Sequence, residues 1–141
     1  MAGGQLEELN ALVGAWTIEA SHPSIDAVAH GESVFEWLEG EQFLLQRSRT
    51  DVADFPDSLI VYAADEDDLF MHYFDSRGVY RLYDVRFSEG VWTMSRDAPG
   101  FSQRFDGTFG DEGNTIDGLW KLSRDGETWD DDLRITFRRK P

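Results

Sequence analysis

Short runs of alternating apolar and polar residues fill the chain from Ala15 onward. They are rich in Val, Ile, Phe, Tyr, Trp and Thr and are separated by Gly, Asp, Ser and Pro, which is typical of β-strands joined by turns. Ahead of them, Leu6, Leu9 and Val13 recur at spacings of three and four and predict a short amphipathic helix. The pattern predicts strands near residues 15–21, 30–38, 42–50, 58–64, 68–75, 78–87, 90–97, 101–109, 114–123 and 129–138.

Tight turns link many of these runs. The segments 75–78 and 88–90 each end in a Gly, which supplies the positive φ that hairpin turns need. Consecutive hairpins make an antiparallel meander, and ten strands without a covering layer of helices close most simply into a barrel, because closure removes exposed edges. We therefore predict one all-β domain over residues 1–141: a ten-stranded antiparallel up-and-down barrel with a short N-terminal helix.

The hairpin at 75–78 sets a register for two strands. If Asp75 faces Val79, then Tyr73 faces Arg81 and Met71 faces Tyr83. We assign the more continuously apolar of the two faces to the interior. It carries Leu69, Met71, Tyr73, Val79, Arg81, Tyr83, Val85 and Phe87.

Arginines interrupt the apolar faces and are candidate ligand contacts. Arg81 lies between Tyr73 and Tyr83 in the predicted register, and a guanidinium inside an apolar barrel needs an anionic partner. That partner is either the carboxylate of a ligand or an acidic neighbour. Arg47 on the third strand poses the same question, and we expect it to extend toward one barrel mouth.

Further candidates come from other strands. Gln103 shares a strand face with Phe105, where its amide would orient a ligand, and Trp120 would supply an aromatic wall. His72 lies beside three aromatic residues and is a candidate general base or haem ligand, although a structural role is the more common one for such a His. The sequence spacing identifies no catalytic residue, because Cys, a Gly-x-Ser-x-Gly turn and a phosphate-binding glycine loop are all missing.

Charge and composition disfavour several classes of binding partner. The chain has 28 acidic and 13 basic residues and a net charge of −15, which disfavours nucleic acid and anionic membranes. It has no Cys, no apolar run long enough to span a membrane and no signal-peptide pattern, so we expect a cytoplasmic protein. The acidic runs at 65–68 and 130–132 lack the ligand ladder of a calcium loop, and we predict no metal and no cofactor. A homodimer formed through a barrel face is left open.

Several segments carry a resemblance to known proteins. The runs 71–78 (MHYFDSRG), 97–105 (DAPGFSQRF), 113–120 (GNTIDGLW) and 125–129 (DGETW) are similar to those of a bacterial family of small lipocalin-like (calycin) proteins common in actinomycetes. The resemblance spans nearly the whole chain and implies a barrel with an internal cavity, but it brings no known reaction. It also implies that Trp16 closes the barrel floor under a cation–π contact from Arg138 or Arg139.

A more distant resemblance is to the nitrobindin type of ten-stranded barrel. Those proteins bind haem through a His on a late strand, whereas the corresponding region here, 129–137, contains no His. The sequence therefore leaves three functions open. The first is a barrel that binds a small apolar or amphipathic molecule, the second is an isomerase, cyclase or lyase that uses an inward-facing His72, and the third is haem or nitric oxide binding.

Overall fold

A computed structural model describes residues 5–141 and confirms the predicted ten-stranded antiparallel barrel. Helix α1 (Gln5–Glu8) and a 3₁₀ turn (Leu9–Leu12) precede the strands. The strands are β1 (Gly14–His22), β2 (Ile25–Trp37), β3 (Leu44–Thr50), β4 (Ser58–Asp65), β5 (Asp68–Asp75), β6 (Tyr80–Ser88), β7 (Val91–Arg96), β8 (Ser102–Gly110), β9 (Thr115–Ser123) and β10 (Asp130–Arg139). No helix within residues 5–141 has the length and apolar character needed to cross a membrane.

Each strand pairs with its chain neighbour, and β1 pairs with β10 to close the barrel. The largest difference from the predicted boundaries is at β2, which begins at Ile25 rather than near residue 30. The turn between β1 and β2 is tight, so residues that we predicted as a loop continue both strands. Register shifts between Ala20 and His22 in β1, and between Asp131 and Arg134 in β10, bend these strands at the open end of the barrel.

The predicted register of β5 and β6 is confirmed. Tyr73 lies opposite Arg81, and Met71 lies opposite Tyr83. The predicted interior face is confirmed as well, because Leu69, Met71, Tyr83 and Val85 are buried in the main core. The alternation of side chains along a strand then places the intervening residues on the outer surface.

Trp16 and Arg139 close the floor of the barrel. Of the two predicted partners of Trp16, Arg138 and Arg139, the structure has Arg139 in contact with it. Trp16 is fully buried, and its indole Nε1 donates a 2.8 Å hydrogen bond to the carbonyl of Leu12. The Arg139 guanidinium lies 4.1 Å from the centre of the Trp16 ring. It also donates hydrogen bonds to the carbonyls of Val13 (2.7 Å) and Ala11 (3.0 Å). One side chain thereby joins the last strand to the segment that enters the first.

Gly14 is required by this contact. Its φ of +127° is strained for other residues, and a Cβ there would lie 2.8 Å from Nη1 of Arg139. Arg138, the other predicted partner of Trp16, was the wrong alternative. It faces outward because it is adjacent to Arg139 on the same strand, and it approaches Glu19 at 3.9 Å.

The two ends of the barrel are covered differently. At the floor, Leu6, Leu9 and Leu12 pack into the main core beneath the strands. At the opposite end, the segment 51–57 between β3 and β4 folds over the mouth. Its Phe55 is buried against Ala20 and Ala29, and its carbonyl accepts a 3.0 Å hydrogen bond from the hydroxyl of Thr50. The interior between floor and cover is where a ligand would have to lie.

We predict that Arg139→Gln lowers the free energy of unfolding by about 3 kcal/mol, because it removes a cation–π contact to the buried Trp16 and charge-assisted hydrogen bonds to the carbonyls of Val13 and Ala11. Arg138→Gln is the matched control, with the same change of charge at the next residue and an expected loss below about 0.5 kcal/mol. Urea titration followed by tryptophan fluorescence measures both. Equal losses in the two variants would contradict the assignment of Arg139 to the floor.

Candidate functional site

An apolar cavity of about 140 Å³ lies inside the barrel, between the floor and the cover. Trp92 and Phe137 form its base, and Phe55 and Pro56 lie on the covered side. The other lining residues are Ile18, Ala20, Gln46, Ser48, Thr50, Ser58, Ile60, Met71, Tyr73, Met94, Phe105, Trp120, Leu133 and Ile135. This volume is below the ~300–1,000 Å³ typical of sites for drug-sized ligands, so an occupant has to be small.

Aromatic rings make one wall rigid. The ring of Phe105 lies 4.9 Å from that of Trp92 and 4.9 Å from that of Trp120, in tilted and edge-to-face contacts. A pair of glycines behind Phe105 makes room for its ring: Gly107 and Gly118 are directly opposite each other on β8 and β9. A Cβ on Gly118 would lie 2.7 Å from the Phe105 ring, so any larger residue pushes that ring inward.

A polar network lies on the facing wall. The hydroxyl of Tyr62 donates to Oε1 of Gln46 (2.7 Å), and Nε2 of Gln46 donates to Ser33 (2.9 Å) and Ser48 (3.2 Å). Burial raises the pKa of Tyr62 well above its ordinary value, so the phenol stays protonated and acts as a donor. Because the members satisfy one another, this network positions side chains and leaves the cavity mainly apolar.

Tyr73 reaches the cavity from β5 and is held by the turn that follows it. Its hydroxyl donates a 2.8 Å hydrogen bond to Asp75, whose side chain has no exposed surface. Arg77 binds the same carboxylate at 2.6 Å, and this bond holds the pKa of Asp75 far below its ordinary value of 3.8. Burial and the bond to Asp75 raise the pKa of Tyr73, so the Tyr73 phenol stays neutral.

Three of the predicted contacts gather next to the cavity. The hydroxyl of Tyr83 donates a 2.6 Å hydrogen bond to Oε1 of Gln103, and both side chains are buried. Burial raises the pKa of Tyr83, while a hydrogen bond from Arg81 lowers it. The Arg81 guanidinium lies 5.0 Å from the centre of the Phe101 ring. These residues occupy the side of the barrel formed by β6, β7 and β8, toward the mouth end.

Two predicted contacts lie outside the barrel. Arg47 is exposed on the outer face of β3 and forms an ion pair with Glu36 at 2.9 Å. His72 is on the outer face of β5, where its ring stacks on Tyr80 and its Nδ1 lies 3.2 Å from the Tyr80 hydroxyl. Both placements follow from the period of two along a strand, since Gln46 and Tyr73 next to them point inward. Neither residue lines the cavity.

Arg47 borders a wider depression of about 610 Å³ on the outer surface, which is open to solvent. The depression follows a row of residues that lie directly opposite one another across five strands, and part of this row is apolar and exposed. The row consists of Val34, Arg47, Leu59, Phe74 and Tyr80. The homodimer stays a prediction.

Of the residues proposed from sequence, Tyr73, Phe105 and Trp120 line the cavity. Sequence reasoning missed Trp92, Met94 and Phe55. Trp92 and Met94 alternate with polar residues on β7 and carried the same signal as Phe105, whereas Phe55 lies in a loop where no periodicity marks it. In the part of the chain that the structure describes, no three His, Asp or Glu side chains form a group that could hold a metal ion.

No protein-family model matches the chain, and no curated protein matches it. Among solved structures, the chain is similar over its full length to the crystal structure of Rv2717c from M. tuberculosis. The TM-score is 0.71, the sequence identity is 16%, and all of both chains is covered. At this identity the similarity shows the fold alone. It supports the barrel fold, and the lipocalin-like and nitrobindin relationships stay predictions.

We predict that Asp75→Asn lowers the free energy of unfolding by about 2 kcal/mol at pH 7, because a solvent-excluded carboxylate loses charge-assisted bonds. The pKa of Asp75 is lowered on folding, so its stabilisation is present above the ordinary value of 3.8 and is lost as the pH falls below it. The difference between wild type and variant should therefore shrink below about pH 4.

Asp84→Asn is the control for this experiment, because Asp84 is exposed on the outer face of β6. Its effect should stay within about 0.5 kcal/mol at every pH. A loss in Asp75→Asn that persists unchanged at pH 2 would argue against the carboxylate as its source.

Proposed function

We propose that this barrel binds one small, mainly apolar molecule in its interior cavity. The cavity of about 140 Å³, bounded by aromatic and aliphatic side chains, is the observation that carries the proposal. An engineered protein cavity of ~150 Å³ with a similar lining takes up benzene. The occupant is therefore of the size of a single ring or a short branched chain.

Leaving such a volume unfilled by side chains has a cost in stability. On the scale of ~24 cal/mol per Å³ measured for core cavities, a cavity of this size costs about 3 kcal/mol. Small inward residues keep this volume open in the half of the barrel near the mouth, where larger side chains would fill it. They are Ala20, Ala29 and Ser58. A ligand that occupies the cavity recovers this free energy, which supports a binding role over a purely structural one.

The indole N–H of Trp92 is a second observation that supports the binding of a ligand in the cavity. It is 1% exposed, it lines the cavity, and within the described residues its indole Nε1 has no hydrogen-bond partner. A buried donor without an acceptor costs about 1–3 kcal/mol. An occupant that carries an oxygen or nitrogen acceptor would remove that cost, so we expect a molecule with at least one acceptor atom.

The alternative functions have less support. An acid–base enzyme built on His72 requires that ring inside the cavity, and it lies on the outer surface against Tyr80. Haem binding requires an axial ligand, and none of the residues that line the cavity is a His. The cavity is also smaller than the sites that take drug-sized ligands, whereas haem is larger than such ligands.

We predict that toluene and phenol bind with Kd values on the order of 0.1–1 mM, which corresponds to about −0.7 kcal/mol per non-hydrogen atom. Phenol should bind more tightly than its apolarity alone implies, since its oxygen is an acceptor for Trp92. Isothermal titration calorimetry with the purified protein measures both, and a ¹⁵N–¹H correlation spectrum locates the site.

Ile60→Trp tests the location. Ile60 lines the cavity, so the larger ring occupies part of its volume and should weaken both ligands at least tenfold without unfolding the protein. Leu59→Trp adds the same ring at the adjacent, exposed residue and should leave both affinities unchanged. Unchanged affinity in Ile60→Trp would place binding elsewhere, and the absence of any binding would refute the proposed function.

A further inference from the structure

A second layer of inward side chains lies beyond the cavity wall, toward the mouth end of the barrel. Arg96 follows Met94 by two residues on β7, and Gln103 precedes Phe105 by two residues on β8. Arg81 is directly opposite Tyr73 on the neighbouring strand. Two residues along a strand span about 7 Å, so the long side chains of this layer are within reach of a molecule that extends from the cavity.

Two guanidinium groups of this layer converge on one residue. Arg81 lies over the ring of Phe101 at 5.0 Å, and Nη1 of Arg96 donates a 3.1 Å hydrogen bond to the carbonyl of Phe101. Both arginines are half-buried. Within residues 5–141, neither lies within 4 Å of a carboxylate, although many other basic residues form such pairs. The arginines that do so are Arg47, Arg77, Arg104, Arg134 and Arg138.

The groups around this pair do not neutralise it. Tyr83 and Gln103 bond to each other and are neutral, so they supply dipoles and no negative charge. Asp132 is the carboxylate that acts on Tyr83, and its Oδ1 is bonded to Nε2 of His22 at 2.8 Å. The two guanidinium groups therefore carry more positive charge than the carboxylate of Asp132 alone balances, in a protein whose net charge is −15. Half-buried guanidinium groups without a carboxylate partner are costly, and an anion between them removes that cost.

We propose that Arg81 and Arg96 form the head-group subsite of the cavity, and that the natural ligand is a small monoanionic carboxylic acid with a compact apolar body. The inference rests on the proposed function, because the apolar body has to occupy the cavity for the carboxylate to reach the pair. A guanidinium presents several N–H donors in a planar fork that matches a carboxylate. The cavity volume restricts the body to about one ring, as in an aromatic acid or a short branched-chain acid.

Benzoate and benzamide are the probes, because they share their shape and differ in charge. In the wild-type protein, calorimetric titration should show benzoate binding at least tenfold more tightly than benzamide. Arg81→Gln and Arg96→Gln should each weaken benzoate about tenfold and change benzamide less than twofold. Arg86→Gln is the matched control: it lies on the outer face of the same strand as Arg81, makes the same change in net charge and should alter neither affinity.

The outcomes separate this inference from the proposed function. Equal affinities of benzoate and benzamide in the wild type, or a benzoate affinity that neither Gln variant changes, would overturn the head-group subsite and leave cavity binding intact. Failure of both probes to bind while toluene still binds would overturn the head-group subsite alone, and failure of all three would overturn both proposals. If a Gln variant unfolds, the wild-type ratio and the other variant still decide, since either one alone tests whether the charge of the ligand is recognised.

Discussion

The pairing of β1 with β10 closes ten strands into one barrel, and the number of strands sets the width of its interior. About eight strands leave an interior that side chains just fill, and wider barrels leave room for more. Near the floor this width is filled by large residues such as Trp16, Phe35 and Tyr62. Nearer the mouth, small residues alternate with the aromatic wall, and the volume they leave is the cavity.

The floor makes this arrangement possible. A barrel that is wide at its centre needs one end sealed, and Arg139 seals it by binding Trp16 and the carbonyls of the incoming segment together. The cover at the other end has a different character, because Phe55 rests on two alanines and is tied by hydroxyl–carbonyl bonds. The floor is held by the charged side chain of Arg139, whereas the cover is held by the burial of Phe55 and by hydroxyl–carbonyl hydrogen bonds. We therefore expect a molecule to enter from the covered side.

Much of the fold could be predicted from sequence, and the candidate site only partly. The alternation of residues on β5 and β6, together with the turn at 75–78, predicts the register and the interior face because a strand has only two faces. On β3, Arg47 shares a strand face with the apolar Phe43 and Leu45, which favours a position at a barrel mouth, although its neighbour Gln46 is the inward residue. His72 was retained as a candidate for its chemistry, against the register that placed it outside.

Other parts of the site lie beyond any local pattern. Phe55 covers the mouth from a loop, and its burial depends on Ala20 and Ala29, which lie opposite each other on β1 and β2. The convergence of Arg81 and Arg96 on Phe101 depends on the stagger of three strands. Spacing along the chain carries no information about such contacts, because they are set by how neighbouring strands align.

Xenon uptake tests the central claim most directly, because xenon binds apolar cavities through dispersion and needs no head group. A crystal pressurised with xenon should show one site between Trp92, Met94 and Ile60, inside the barrel. The same protein in solution should shift the ¹²⁹Xe resonance in a saturable way. A barrel interior without xenon density, with xenon only in surface depressions, would show that side chains fill the interior and would contradict a binding cavity.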